Sequence, residues 1–189
     1  MAEKRLNEVR DALRLLAPGP VTLVTTIYRD QPNVMTAGWF LPLSLEPTLI
    51  GVAVQPSRLT HEFITRTESF AINIPNVDLM SVVHLCGMTS GREKDKFQET
   101  GLTPADASEI DAPLIEQCVG HIECGVVDRM TCGDHDLFVA RVLAVQAVDE
   151  AFSSFWDVES DAGSLLHHLG ADRYAGLGKA YRVAPEEEV

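Results

Sequence analysis

Two short stretches carry side chains suited to holding a flat polar ligand and an anion together. In Gln31-Pro32-Asn33-Val34-Met35-Thr36-Ala37-Gly38-Trp39, an amide, a hydroxyl and an indole lie close together after a proline turn. In Gln55-Pro56-Ser57-Arg58-Leu59-Thr60, hydroxyls and a guanidinium follow a second turn and lead into a helical pattern, with Ser57 as the expected N-cap. Free backbone amides at a helix start favour an anion by roughly 0.3–1 kcal/mol, to which Arg58 adds a charge-assisted contact. Alternation along the first stretch sends Asn33, Met35 and Ala37 to one face and Val34, Thr36 and Gly38 to the other. The small residues let a ring approach the backbone. Taken alone, the first stretch also suits turn chemistry and packing, and the second also suits an ordinary capped helix with a surface arginine.

Two further motifs are chemically suggestive. Ser90-Gly91-Arg92-Glu93-Lys94-Asp95-Lys96-Phe97 alternates bases with acids and on its own reads as a nearly neutral charged loop. Gly133-Asp134-His135 reads as a turn before a strand. As an imidazole, His135 suits a proton donor, a hydrogen-bond donor or a stacking surface equally. Four cysteines, Cys86, Cys118, Cys124 and Cys132, include no Cys-x-x-Cys pair and read as reduced, mostly buried thiols. His121 and Cys124 stand three apart on a strand pattern, hence on opposite faces, which argues against a shared metal.

Composition narrows the classes. The 189 residues, 46% hydrophobic, are enough for one domain with a substantial core. Net charge is -13, and the excess lies wholly in the second half: residues 1–96 hold ten basic and ten acidic side chains, the rest five and eighteen. A chain this acidic is a poor phosphate-backbone binder, so nucleic acid is not an expected partner. No apolar run reaches the roughly 18 residues of a membrane span, and the N-terminus lacks a signal-peptide core, so no membrane association and a cytoplasmic location are expected. No GxGxxG follows a strand, and no GxxxxGK[ST] occurs.

The elements that must position these motifs are mostly strands. Leu6, Val9, Leu13 and Leu16 predict an amphipathic helix over residues 3–16, ended by Pro18-Gly19-Pro20. Val21 to Tyr28 is β-branched and strand-like, and Arg29 to Pro32 turns it into a second strand from Asn33. Leu49 to Val54 reads as a strand buried on both faces. A helix is predicted over 58–67, and Phe70, Ile72 and Ile74 alternate on a strand over 69–75. A second helix is predicted over 77–85. Strands around 115–129 and 136–148 form a hairpin about Cys132-Gly133-Asp134. The acidic end, Glu186 to Glu188, reads as a frayed tail. Many strands, few helices and frequent turns predict a mainly β fold with peripheral helices, in the form of a closed or split antiparallel barrel.

Motifs and order over residues 18–178 resemble the flavin-reductase-like family of FMN-binding split barrels, which includes flavoredoxin and the reductase components of two-component monooxygenases. The resemblance implies a cradle in which Asn33, Met35, Thr36 and Trp39, with Ala53 and Val54 from the following strand, meet the flavin ring. It implies that Ser57, Arg58, Thr60 and Lys96 meet the phosphate, and that His135 approaches the ring from the hairpin tip. Tyr174, in the closing Leu169-Gly170 motif, would cover the ring edge, while His167 and His168 depart from the family pattern. FMN with NADH or NADPH as hydride donor, a homodimer, and a monooxygenase or other redox partner are implied likewise. FMN would carry the chemistry, so no separate catalytic residue is expected. Two alternatives share these motifs: an FMN electron carrier without its own NAD(P)H site, and a haem-binding barrel with His135, His167 or His168 as axial ligand.

Overall fold

The computed structural model describes residues 9, 11–16 and 18–183, so the acidic end and most of the first ten residues lie outside it. The opening helix, α1 (Asp11–Leu16), places Leu13 and Leu16 in solvent, not against the core as an amphipathic stripe would suggest. After β1 (Gly19–Pro20) come β2 (Thr22–Tyr28) and β3 (Gln31–Ala37). Their connection is tighter than expected. Only Arg29 and Asp30 turn, both with positive φ (51° and 60°), the backbone that follows the twist of a hairpin. Pro32 therefore stands inside β3 opposite Ile27, which an edge strand tolerates.

The remaining strands are β4 (Phe40–Ser44), β5 (Leu49–Val54), β6 (Ser69–Ile74), β7 (Pro104–Ala105), β8 (Leu114–Ile115), β9 (Gly120–Cys132), β10 (His135–Ala147), β11 (Leu166–Gly170) and β12 (Arg173–Gly176). Helices α2 (Leu59–Thr67), α3 (Met80–Met88, entered through the 3₁₀ turn Val77–Leu79) and α4 (Lys96–Thr100) lie between them. Seven strands form one antiparallel sheet in the order β3-β2-β6-β9-β10-β5-β4. Its two edge strands are consecutive in the chain, separated only by Gly38 and Trp39, so the sheet must curl until its edges meet. The Trp39 carbonyl accepts from the Ala53 amide at 2.9 Å as the chain crosses that seam. This is the split barrel expected, mainly β with helices outside.

Strand alternation sorts the apolar residues into two cores. Val24, Val52, Val54, Phe70, Ile72, Cys124 and Phe138 fill the barrel, closed by Ile64 of α2. Leu23, Val34, Ile115 and Leu166 pack with Val83 and Cys86 of α3 on the other face. The β9–β10 hairpin turns at Gly133-Asp134, with Gly133 at φ 66°, and bulges once in each strand, at Val127 of β9 and Leu143 of β10. β9 begins later than the pattern predicts, because Ile115 pairs in the short β7–β8 ribbon. Burial pushes the Cys86 thiol up to about 11 and the Cys118 and Cys124 thiols up to about 12, so these three remain protonated. Cys132 is exposed.

Glu123, on β9 and buried, binds the loop before β8. Its carboxylate accepts from the Ser108 amide at 3.0 Å, the Glu109 amide at 2.7 Å and the Ser108 hydroxyl at 2.9 Å. Burial alone would raise its pKa, but these donors outweigh it and hold the carboxyl below its ordinary value. A carboxyl depressed on folding contributes stability that is fully present above about pH 4.3 and is lost as pH falls through the lowered folded value. Glu123→Gln is therefore expected to be less stable at neutral pH and to lose less stability between pH 5 and 3. Urea unfolding across that range checks this; parallel pH profiles in parent and variant would remove Glu123 from the acid limb.

Candidate functional site

Lys96 is the most constrained charged side chain near the seam. Asp95 caps α4, its carboxylate accepting from the Phe97 and Gln98 amides at 3.0 and 3.2 Å, which starts the helix at Lys96 and turns that side chain inward. Lys96 is only 5% exposed. Its ammonium donates to the carbonyls of Cys86 (3.1 Å) and Thr89 (3.3 Å) at the end of α3, where helix carbonyls lack intrahelical donors. Among the described residues it takes part in no ion pair. An ammonium has three donors, so one remains for the adjoining cavity. Burial holds the group below the usual lysine range; Cys86 opposes that, and Arg58 adds to it.

That cavity, about 80 Å³, is walled by four parts of the chain: Asn33 from β3, Arg58 and Thr60 at the start of α2, Gly87 near the end of α3, and Ser90 and Gly91 after it. Asn33 and Thr60 are buried and bonded to each other, Asn33 Nδ2 donating to Thr60 Oγ1 at 2.9 Å. No side chain caps α2. The helix starts at Leu59, one residue later than Ser57 would set it, so the cap position falls on extended Arg58, which cannot accept. Ser57 is exposed, donates to the Gln55 side chain at 3.2 Å, and lines neither compartment of the site.

A second compartment, about 140 Å³, adjoins the first through Met35, Thr36 and Arg58. Its other walls include Gly38, Trp39, Ala53, Val54, Gln55 and His135. Trp39 and His135 stack with ring centroids 4.7 Å apart at 41°, and His135 Nδ1 bonds Asp134 Oδ1 at 2.8 Å. The Thr36 hydroxyl donates to the Val83 carbonyl, which fixes β3 on α3. Ten of the eleven predicted site residues therefore line one continuous cleft, the exception being Ser57.

Other expectations need correction. Tyr174 lies against α3, its hydroxyl 3.2 Å from His84 Nδ1 and its ring 5.0 Å from that of His168, away from both compartments. β11 pairs with β1 on one side and β12 on the other, which carries this hairpin to the α3 side of the fold. Sequence reasoning also missed the His61–Asp136 pair, 2.8 Å apart and mostly buried, with Thr131 donating to the other carboxylate oxygen at 2.8 Å. Hydrogen bonds from His61 and then Thr131 hold the Asp136 carboxyl below its usual range. This pair ties the first turn of α2 to the strand that carries His135. Residues 75 apart in sequence carry no local signal of such a contact.

The arrangement offers a cationic pocket suited to an anion and a slot of mixed polar and apolar lining suited to a flat ring. The chain is similar to several known proteins. An uncharacterized protein of Archaeoglobus fulgidus is 37% identical over 74% of this chain and 78% of its own length. The NADH-dependent FMN reductase AsuE2 of Streptomyces nodosus is 30% identical over 87% of this chain and 82% of its own. Flavoredoxin of Desulfovibrio vulgaris superposes with a TM-score of 0.84 at 25% identity, covering 98% of each chain. The model of the flavin reductase like domain matches residues 14–174, and the chain belongs to that family.

Proposed function

We propose that the whole chain is one FMN-binding domain and a flavoprotein oxidoreductase, which accepts hydride from NADH or NADPH and passes electrons to free flavin, a metal chelate or a protein partner. Lys96 carries this reading. A buried ammonium held only by carbonyls is costly unless an anion joins it, and a phosphate dianion beside Arg58, Ser90 and the uncapped start of α2 supplies one. The FMN phosphate would occupy that end, and the ring would lie along Met35, Thr36, Ala53 and Val54 toward Trp39 and His135.

FMN supplies hydride and electron chemistry when bound. The residues of the chain then have three tasks. Lys96, Arg58 and Thr60 hold the phosphate, β3 and β5 orient the ring, and the Trp39–His135 stack shields its edge from water. The name of AsuE2 supports a nicotinamide donor. The likeness to flavoredoxin supports the second reading, an electron carrier without its own NAD(P)H site.

A homodimer fits the surface. Leu41, Leu43, Leu143 and Val145 are exposed on the β4 and β10 strands, flanking β5, which lines the ring compartment. A second copy covering this face would also shelter the ring, and sedimentation velocity reads the mass directly. A monooxygenase component is a fitting acceptor partner. No helix among the described residues is long and apolar enough to cross a membrane, and a cytoplasmic location is proposed with the rest.

Absorption spectroscopy with added FMN, followed anaerobically by NADH and then NADPH, tests the proposal. Bleaching of bound flavin supports a reductase and identifies its donor. Binding without bleaching supports the carrier, and no binding overturns the cleft assignment. His135→Ala is expected to slow flavin reduction more than it weakens FMN binding, about 10- to 100-fold if His135 positions the reacting ring. Stopped-flow rates equal to the parent's would leave His135 as a turn residue.

A further inference from the structure

Arg58 and Thr60 stand at the start of α2, which belongs to no sheet, so side chains must place that first turn. Two ties shielded from solvent do so, and they run to opposite sides of the cleft. Thr60 accepts from Asn33 on β3 at 2.9 Å, and its neighbour His61 lies 2.8 Å from Asp136 on β10. In the sheet, β2, β6 and β9 stand between those two strands. The Asp136 carboxylate only accepts, taking the Thr131 hydroxyl on its other oxygen at 2.8 Å, so Nε2 of His61 is the donor. The His61 ring also packs edge-on against Phe138 of β10, centroids 5.1 Å apart at 67°, while the His61 amide donates to the Arg58 carbonyl at 3.1 Å. His61 is thus fixed to β10 by its ring and to Arg58 by its backbone. The two side chains are only 12% and 11% exposed, so water screens their bond far less than a surface pair. Half-exposed Arg129 adds a weaker tie further along α2, donating to Thr65 at 3.3 Å with its Nε 3.9 Å from Asp136.

We propose that His61 and Asp136 are positioning residues for the flavin phosphate: their bond holds Arg58 and Thr60 in place relative to the walls that take the ring. The inference rests on the FMN reading above. The ring walls themselves do not need this bond. β3 pairs with β2, and β5 pairs with β10 and β4, so main-chain ladders keep Met35, Ala53 and Val54 where they are whatever happens at His61. α2 has no ladder, and no side chain caps its start. Without the tie to β10, the first turn of α2 keeps only the Thr60–Asn33 bond among its shielded polar ties, and its approach to the cavity is set from one side instead of two. Loss of the bond therefore loosens the phosphate ligands and spares the ring, a loss of preorganisation and not of any direct contact to the ligand.

Fluorescence titration of the full chain with FMN and with riboflavin tests this in the parent, His61→Ala, His61→Gln, Asp136→Ala and the double alanine variant, each fold checked by thermal melting. His61→Ala is expected to weaken FMN binding about 5- to 20-fold and riboflavin binding less than about twofold. Glutamine can place an amide N–H where Nε2–H stands, so His61→Gln is expected to stay within about threefold of the parent for FMN. The double variant is expected to lose no more than either single, because both side chains act through one bond. Unchanged FMN affinity in His61→Ala overturns the positioning role, and equal weakening of FMN and riboflavin reduces the pair to a fold contact and overturns it too. A glutamine variant as weak as the alanine one, or additive losses in the double variant, overturns the hydrogen bond as the means. The His61 variants decide these points even if Asp136→Ala does not fold. A parent chain that binds neither FMN nor riboflavin fails earlier, at the FMN reading itself.

Discussion

Lys96→Met is expected to weaken FMN binding about 30- to 150-fold, the equivalent of 2–3 kcal/mol for a lost hydrogen bond between charged groups, while leaving riboflavin affinity unchanged. Methionine keeps most of the side-chain volume and removes the charge, so the cavity wall stays in place. The parent ammonium has a desolvation cost that the variant does not, which offsets part of the loss at the Cys86 and Thr89 carbonyls left without this donor. Riboflavin separates the two possible roles because it has the ring and lacks the phosphate. A loss confined to FMN assigns Lys96 to the phosphate. Equal weakening of both ligands would show instead that Lys96 only holds the end of α3 in place, and the anion reading of the cavity would fall.

The largest stability effect is expected at Asn73, far from the cleft. Its side chain is fully buried on β6. Nδ2 donates to the Leu23 carbonyl and to Thr25 Oγ1, each at 3.0 Å, and Oδ1 accepts from the Ile115 amide at 2.9 Å. Thr25 in turn donates to the Pro113 carbonyl. One amide therefore fastens β2 and β6 of the barrel to the β7–β8 ribbon, with every donor and acceptor matched. Asn73→Ala removes three buried hydrogen bonds, leaves the Ile115 amide without its acceptor and opens a cavity, for an expected cost of about 3–5 kcal/mol. Urea unfolding monitored by Trp fluorescence measures it. A cost below about 1 kcal/mol would mean that water replaces the amide, since single polar deletions on the surface fall in that range.

The strands were legible because alternation and β-branching are local. The patterns of β2, β3, β5 and β6, and the Gly133 turn, follow from neighbouring residues and hold in the structure. Expectations failed where a distant contact decided the outcome. Ser57 is a good cap by type, yet α2 begins one residue later and leaves it in solvent. Ile115 looks like the start of a long strand, but pairing with Pro104 takes it into a separate ribbon. Leu13 and Leu16 lie exposed and cover no core among the described residues.

For the site, residue types and order carried the chemistry, and packing carried its geometry. Asn33, Thr36, Arg58, Thr60 and Lys96 were readable as candidates because amides, hydroxyls and cations beside turns are suited to a ring and an anion. The sequence alone could not show that Lys96 is buried and in no ion pair among the described residues, that Gly91 closes on Asn33, or that Tyr174 turns away to His84. Alternation determines which side of a strand a residue faces. Curling of the sheet until β3 and β4 meet determines what stands opposite it, and that closure depends on contacts between residues far apart in the chain.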